Sequence, residues 1–179
     1  SDLHDVISIS KIKNPKDKIT FSGKFCNNIN KKSNTITTVL QILRKKKLIK
    51  NQSFKINVKK NIPHGSGLGG ASSNASYLLN YFNKKMKLKL KKNQMINIAK
   101  KIGSDVPICL EKKNTFLTGK KDKILRINNK FNLHLLIVYP NIICSTRKVY
   151  KRNRIINSTG NYFFYNKQDS AKLIHRLKN

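Results

Sequence analysis

Acidic side chains are scarce in this sequence. Seven Asp plus Glu stand against 39 Lys plus Arg in 179 residues, a formal charge of +32. Cysteine is scarce too: Cys26, Cys109 and Cys144 are far apart and odd in number. With no C-x-x-C pair they suggest neither zinc nor a redox couple, and they read as buried or idle thiols in a reducing cytoplasm. No apolar run approaches the roughly 18 residues of a membrane span, so no membrane partner is expected. No secretory signal opens the chain, which starts Ser1-Asp2-Leu3-His4-Asp5 and passes straight into strand-like Val6-Ile7-Ser8-Ile9-Ser10. It also lacks an initiator Met, which suggests that the start of the protein is missing. No Pro/Gly/Ser linker divides it, and its length fits one domain or part of a larger one.

What is abundant is lysine. A basic surface attracts phosphate backbones of any sequence, so nucleic-acid binding is one reading of the charge. Compositional bias is the other, since Lys, Asn and Ile crowd every segment. The lysines fall in 31–32, 45–47, 59–60, 84–92, 112–113 and 120–123, with no single basic arm. They are not interleaved with aromatics as in a single-strand stacking platform. A solvated, biased surface with no specific nucleic-acid partner is the expectation.

Alternating strands and helices run along the chain without an internal repeat. Strand-like stretches are 6–12, 19–23, 53–60, 115–118, 124–127 and 133–139. The last, Leu133-His134-Leu135-Leu136-Ile137-Val138-Tyr139, is nearly all apolar and reads as a central strand. One helix is expected behind a Ser33/Asn34 cap, with Ile36, Val39, Leu40 and Leu43 at i, i+3, i+4, i+7. A second carries Ala71, Ala75, Leu78, Leu79 and Phe82, and a third runs from about Asn93 with Met95, Ile98, Ala99 and Ile102. These stripes are core faces. The tail from Arg152 onward is the least patterned part.

Between strand 53–60 and the second helix lies Ile62-Pro63-His64-Gly65-Ser66-Gly67-Leu68-Gly69-Gly70-Ala71-Ser72-Ser73-Asn74-Ala75. Strand, glycine turn, helix is the arrangement in which backbone N–H groups and a helix N-terminus form an anion site. Gly65, Gly67, Gly69 and Gly70 would let the main chain approach a phosphate without Cβ atoms in the way. Ser72 and Ser73 put hydroxyls at the helix start, for phosphate oxygens or a metal ion. A flexible turn with a serine cap is the plainer alternative. The stretch is not a P-loop, because Ala71 and not Lys follows Gly70. It matches G-x-G-x-x-G over 65–70, but a dinucleotide fold expects an acid about 20 residues on. Residues 85–95 read KMKLKLKKNQM, and the first acid after the loop is Asp105.

The stretch resembles the P-x-x-x-G-L-G-[GS]-x-S-S pattern of the GHMP kinases, and most closely their 4-diphosphocytidyl-2-C-methyl-D-erythritol kinase family. The resemblance extends in order from residue 1 to about 151. Leu3-His4-Asp5-Val6-Ile7-Ser8-Ile9 is similar to an early strand, and Asn34-Thr35-Ile36 to an asparagine that opens a helix near the adenine. Lys60 stands where the family has a nucleotide-contacting lysine. Gly103-Ser104-Asp105-Val106-Pro107 resembles the catalytic motif, and Phe116-Leu117-Thr118-Gly119-Lys120 the strand and turn after it. Ser145-Thr146-Arg147-Lys148-Val149-Tyr150 resembles a turn leading to an aromatic that stacks on cytosine.

The resemblance implies an α+β fold, a GHMP kinase with a ribosomal protein S5 domain 2-like N-terminal domain. Residues 1–151 would be the ATP-binding domain without its first strands, and 152–179 the start of a C-terminal domain. ATP and Mg²⁺ are the implied cofactors, the metal arriving with ATP and Ser73 its candidate protein contact. The implied small-molecule substrate is a cytidine diphosphate-linked methylerythritol. Lys60, Pro63, His64, Gly65, Ser66, Gly67, Leu68, Gly69, Gly70, Ala71, Ser72, Ser73 and Asn34 would hold ATP, and Tyr150 the substrate. Asp105 would accept the proton of the attacking hydroxyl, a task that suits a carboxylate. Its alternative role is to cap a short helix ahead of Pro107. The family's Ala-Lys-Ile/Leu-Asn strand, its Gly-Tyr-His segment and its third glycine-rich motif are not found, so the chain is expected to be an internal fragment, inactive by itself.

Overall fold

The computed structural model describes residues 3–118, 123–128, 136–139 and 151–152. The chain divides into two compact units, Ser1–Thr146 and Arg147–Asn179, and all elements below belong to the first. Strands β1 (Val6–Ile12), β2 (Lys18–Ser22) and β3 (Ser53–Lys59) form a sheet in the order β1-β3-β2. β1 runs antiparallel to β3 and β2 parallel to it. The parallel pair is bridged by α1 (Thr35–Lys45), as such pairs require a crossover. Helices α2 (Gly70–Lys85), α3 (Lys92–Ile102) and α4 (Val106–Cys109) follow, then a hairpin of β4 (Asn114–Thr118) and β5 (Lys123–Ile127).

The register explains why the sheet has one covered face. Ile9, Ile56 and Ile19 stand side by side across the three strands, and so do Ile7, Val58 and Phe21. On the other face Ser8, Asn57 and Thr20 align, and the Thr20 hydroxyl donates to Asn57 Oδ1 at 3.0 Å. The apolar rows pack under helix stripes that recur every three to four residues: Ile36, Val39, Leu40 and Leu43 on α1; Ala75, Leu78, Leu79 and Phe82 on α2; Met95, Ile98 and Ala99 on α3. Phe82 meets Phe54 edge-on, with ring centroids 4.9 Å apart. Burying one such side chain is worth roughly 1.5–3 kcal/mol, so this interface dominates the unit's stability.

Helix ends give some of the lysines a role. Arg44/Lys45, Lys84/Lys85 and Lys100/Lys101 occupy the last turns of α1, α2 and α3, where the helix dipole favours cations. Asn34 caps α1 as expected, its Oδ1 accepting from the Thr37 N–H at 3.0 Å.

One expectation needs correction. Residues 136–139 are not strand, and Leu136 and Val138 are 90% and 78% exposed. An apolar run becomes a central strand only with ladder partners on both sides, and the described residues supply none here; 133–135 lie outside them. Of the thiols expected to be buried or idle, Cys26 and Cys109 are free and half-buried; Cys144 lies outside the described residues. Burial first, then the nearby Asp105 charge, raises the Cys109 pKa, so that thiol is a weak nucleophile.

Candidate active site

The glycine-rich loop leaves β3 at Lys60 and enters α2 at Gly70. Gly65, Gly67 and Gly69 take φ of 70°, 77° and 68°, a left-handed conformation that side chains with a Cβ resist. A Cβ at Gly67 would have nothing within 4 Å, so the loop faces open space there. The N-cap of α2 is Gly69, which has no side chain to satisfy the first-turn N–H groups. They and the positive end of the helix dipole are left for an anion. The Ser66 hydroxyl shapes the turn by donating to the Pro63 carbonyl at 2.8 Å. Ser72 is half-buried and Ser73 exposed, and neither hydroxyl is used in a hydrogen bond among the described residues.

Beside the loop is a pocket of about 260 Å³, lined by Phe21, Asn34, Lys60, His64 and Ala71 among others. Four of the residues expected to hold a nucleotide therefore come together, although 26 positions separate Asn34 from Lys60. The Asn34 amide itself is fully engaged: besides its capping bond, Nδ2 donates to the carbonyls of Asn30 (2.9 Å) and Lys31 (3.2 Å). It can offer a pocket wall and not a free amide.

Lys60 is 4% exposed and forms an ion pair with Asp5. Asp5 Oδ1 accepts from the N–H groups of Asn61 (2.8 Å) and Ile62 (2.9 Å), and Oδ2 from Asn74 Nδ2 (2.8 Å) and the Lys60 ammonium. Burial alone would raise the Asp5 pKa. Lys60, Ile62, Asn74 and Asn61 together outweigh it and hold the carboxyl below its ordinary range. Sequence reasoning missed Asp5 and Asn74 as site residues. The scarcity of acids, which drew attention to Asp105, was the available signal for Asp5.

Asp105 stands at the N-cap of α4, directly before buried Val106 and Pro107. Its side chain makes no capping bond, so the helix-cap role is not the one adopted; the Ser104 hydroxyl donates to its Oδ1 at 3.1 Å. Asp5, Asp17 and Glu111 each pair with a cation, whereas exposed Asp105 has no ion pair among the described residues. α4 is tied to the helix behind the loop: the carbonyl of Cys109 lies 3.1 Å from the Ser76 hydroxyl, and Asn80 Nδ2 donates to the Leu110 carbonyl at 3.1 Å. Gly119, Lys120 and the 145–150 segment with Tyr150 lie outside the described residues. No group of three or more His, Cys, Asp or Glu able to hold a metal occurs among those described, and no described helix is long and apolar enough to cross a membrane.

Known proteins are similar to this chain over the same elements. Residues 34–113 match the family model of the GHMP kinases N terminal domain. The chain is 42% identical over 151 residues to a 4-diphosphocytidyl-2-C-methyl-D-erythritol kinase of Pelagibacter ubique, covering 84% of this chain and 53% of that protein. It is 31% identical over 150 residues to the enzyme of the same name from Caldicellulosiruptor saccharolyticus, covering 84% and 51%. The chain thus spans about half the length of the curated relatives it matches. Among solved structures it is similar to homoserine kinase from Cytophaga hutchinsonii, with TM-score 0.58, 19% identity and coverage of 69% of this chain and 42% of that one. A 4-(cytidine 5'-diphospho)-2C-methyl-D-erythritol kinase superposes with TM-score 0.53 and 21% identity over 70% and 42%. Loop, helix and Asp105 all fall within the matched segment, so residues 34–113 carry the GHMP kinase N-terminal domain.

Proposed function

We propose that this chain is the nucleotide-binding half of a kinase that moves the γ-phosphoryl group of ATP to the 2-hydroxyl of 4-diphosphocytidyl-2-C-methyl-D-erythritol, in isoprenoid precursor synthesis by the non-mevalonate route. The hydroxyl oxygen bonds to phosphorus, the bond to the ADP oxygen breaks, and the proton goes to the Asp105 carboxylate. One observation carries the reading: Asp105 is the described acid without a counter-cation, set on a helix bonded to the one that the glycine loop opens. Identity to the enzymes named above supports the substrate.

In this reading Lys60, Pro63, His64, the loop through Ser73 and the Asn34 backbone surround ATP, and Tyr150 stacks on the cytosine. Mg²⁺ is normally bound through phosphates and few protein groups, and the unengaged, exposed Ser73 hydroxyl fits that habit. When bound it would neutralise phosphate charge. Residues 1–151 act as the ATP-binding domain and 152–179 begin the next, in a cytoplasmic enzyme. The test is ATP-dependent formation of the 2-phosphate by the intact protein that contains this chain. Phosphorylation of homoserine in its place would move the assignment to another GHMP kinase.

A further inference from the structure

We propose that Asp5 is the positioning residue of the glycine loop, a buried carboxylate that fixes Lys60, the first two N–H groups of the loop and the first turns of α2 in one geometry. The side chain is 1% exposed, and each of its oxygens accepts from two donors. Those donors come from the end of β3, the start of the loop and α2, which are up to 69 positions away in sequence.

Lys60 is held at its backbone as well. Its N–H donates to the Ser22 carbonyl at 2.7 Å, and its carbonyl accepts from the Phe25 N–H at 3.3 Å. Gly23, at φ 90°, packs so closely that a Cβ there would lie 2.7 Å from the Lys60 oxygen. The ammonium ends beneath α2, 3.4 Å from where a Gly70 Cβ would be. Because Asp5 balances its charge, Lys60 in this state is not a free counter-ion. What the pair supplies is shape: the direction in which the loop leaves the sheet and the tilt at which α2 presents its N–H groups. A buried pair is costly to break, because either partner alone is an uncompensated charge.

The consequence for nucleotide rests on the kinase reading; the positioning itself does not, so two measurements separate them. Amide hydrogen exchange of the 179-residue chain is compared with Asp5→Ala and with Asp5→Ala/Lys60→Met, which removes both charges and carries the test where the single variant fails to fold. The Asn61 and Ile62 amides should exchange roughly 5- to 10-fold faster, while Ile56 and Val58 in β3 stay unchanged. ATP titrated into the same folded proteins should bind about 10-fold or more weakly. Equal acceleration throughout β3 would reduce Asp5 to general support of the fold and overturn the proposal. Unchanged loop exchange would do the same, as would faster loop exchange with unaltered ATP affinity. If the wild-type chain binds no ATP, the nucleotide reading fails, and exchange at Asn61 and Ile62 alone decides the positioning.

Discussion

Arg126 on β5 reaches α4 and donates to the Pro107 carbonyl at 2.7 Å. The same guanidinium donates to the Ile108 carbonyl and the Thr115 hydroxyl, each at 2.6 Å. A hairpin arginine therefore fixes the short helix that carries Asp105. Arg126→Met removes these donors and leaves the two carbonyls and the hydroxyl without this partner. Since hydrogen bonds to charged groups contribute about 1.5–3 kcal/mol, stability should fall by about 2–3 kcal/mol. Thermal unfolding measures that, and in the intact enzyme kcat should drop more than ATP affinity.

Asp105→Asn separates catalysis from structure. It keeps the shape and removes the group that takes the proton, so kcat of the intact enzyme should fall by about 10²–10⁴-fold with ATP affinity little changed. Single-turnover kinetics and ATP titration check both halves.

Acid should act through Asp5. Its folded pKa lies below the unfolded value, so its contribution is fully present above the unfolded pKa and is lost as pH falls through the folded one. Glu111, depressed first by its bond to Lys92, acts in the same direction. The unfolding midpoint should be level near neutrality and decline below about pH 4. In Asp5→Asn the decline should be shallower, which denaturant titrations across pH would detect.

Among the described residues Lys47, Lys87 and Lys89 sit where glycine is favoured, and two of them end helices. Lys47 and Lys87, at φ 55° and 50°, follow the C-caps of α1 and α2. The Leu48 N–H bonds back to the Leu43 carbonyl at 2.9 Å, and Leu88 to Asn83 at 3.0 Å, the six-to-one closure of a Schellman turn. Both lysines are exposed, so Lys47→Gly relieves backbone strain at little loss of contact. It should stabilise the chain by about 1 kcal/mol in chemical denaturation.

These cases mark what was legible beforehand. Ile36, Val39, Leu40 and Leu43 announce their helix because burial repeats with the helical period, and the loop announces itself because alternate left-handed residues demand glycine. Asp5 was marked by nothing beyond the scarcity of acids, since its meaning lies in Lys60 and Asn74, 55 and 69 positions away. Leu136 and Val138 misled for the same reason: composition suggests a buried strand, but pairing partners decide one. Lys60 was singled out by its resemblance to a family lysine, whereas its ion pair required the fold.

The most direct test is calorimetric titration of ATP, with Mg²⁺, into the 179-residue chain and into Gly67→Val. Gly67 is left-handed and borders open space, so a branched side chain both strains the turn and fills the region assigned to phosphate. The account expects saturable one-to-one binding by the wild type and none by the folded variant. No saturable binding by the wild type, or equal affinity in both, would contradict it.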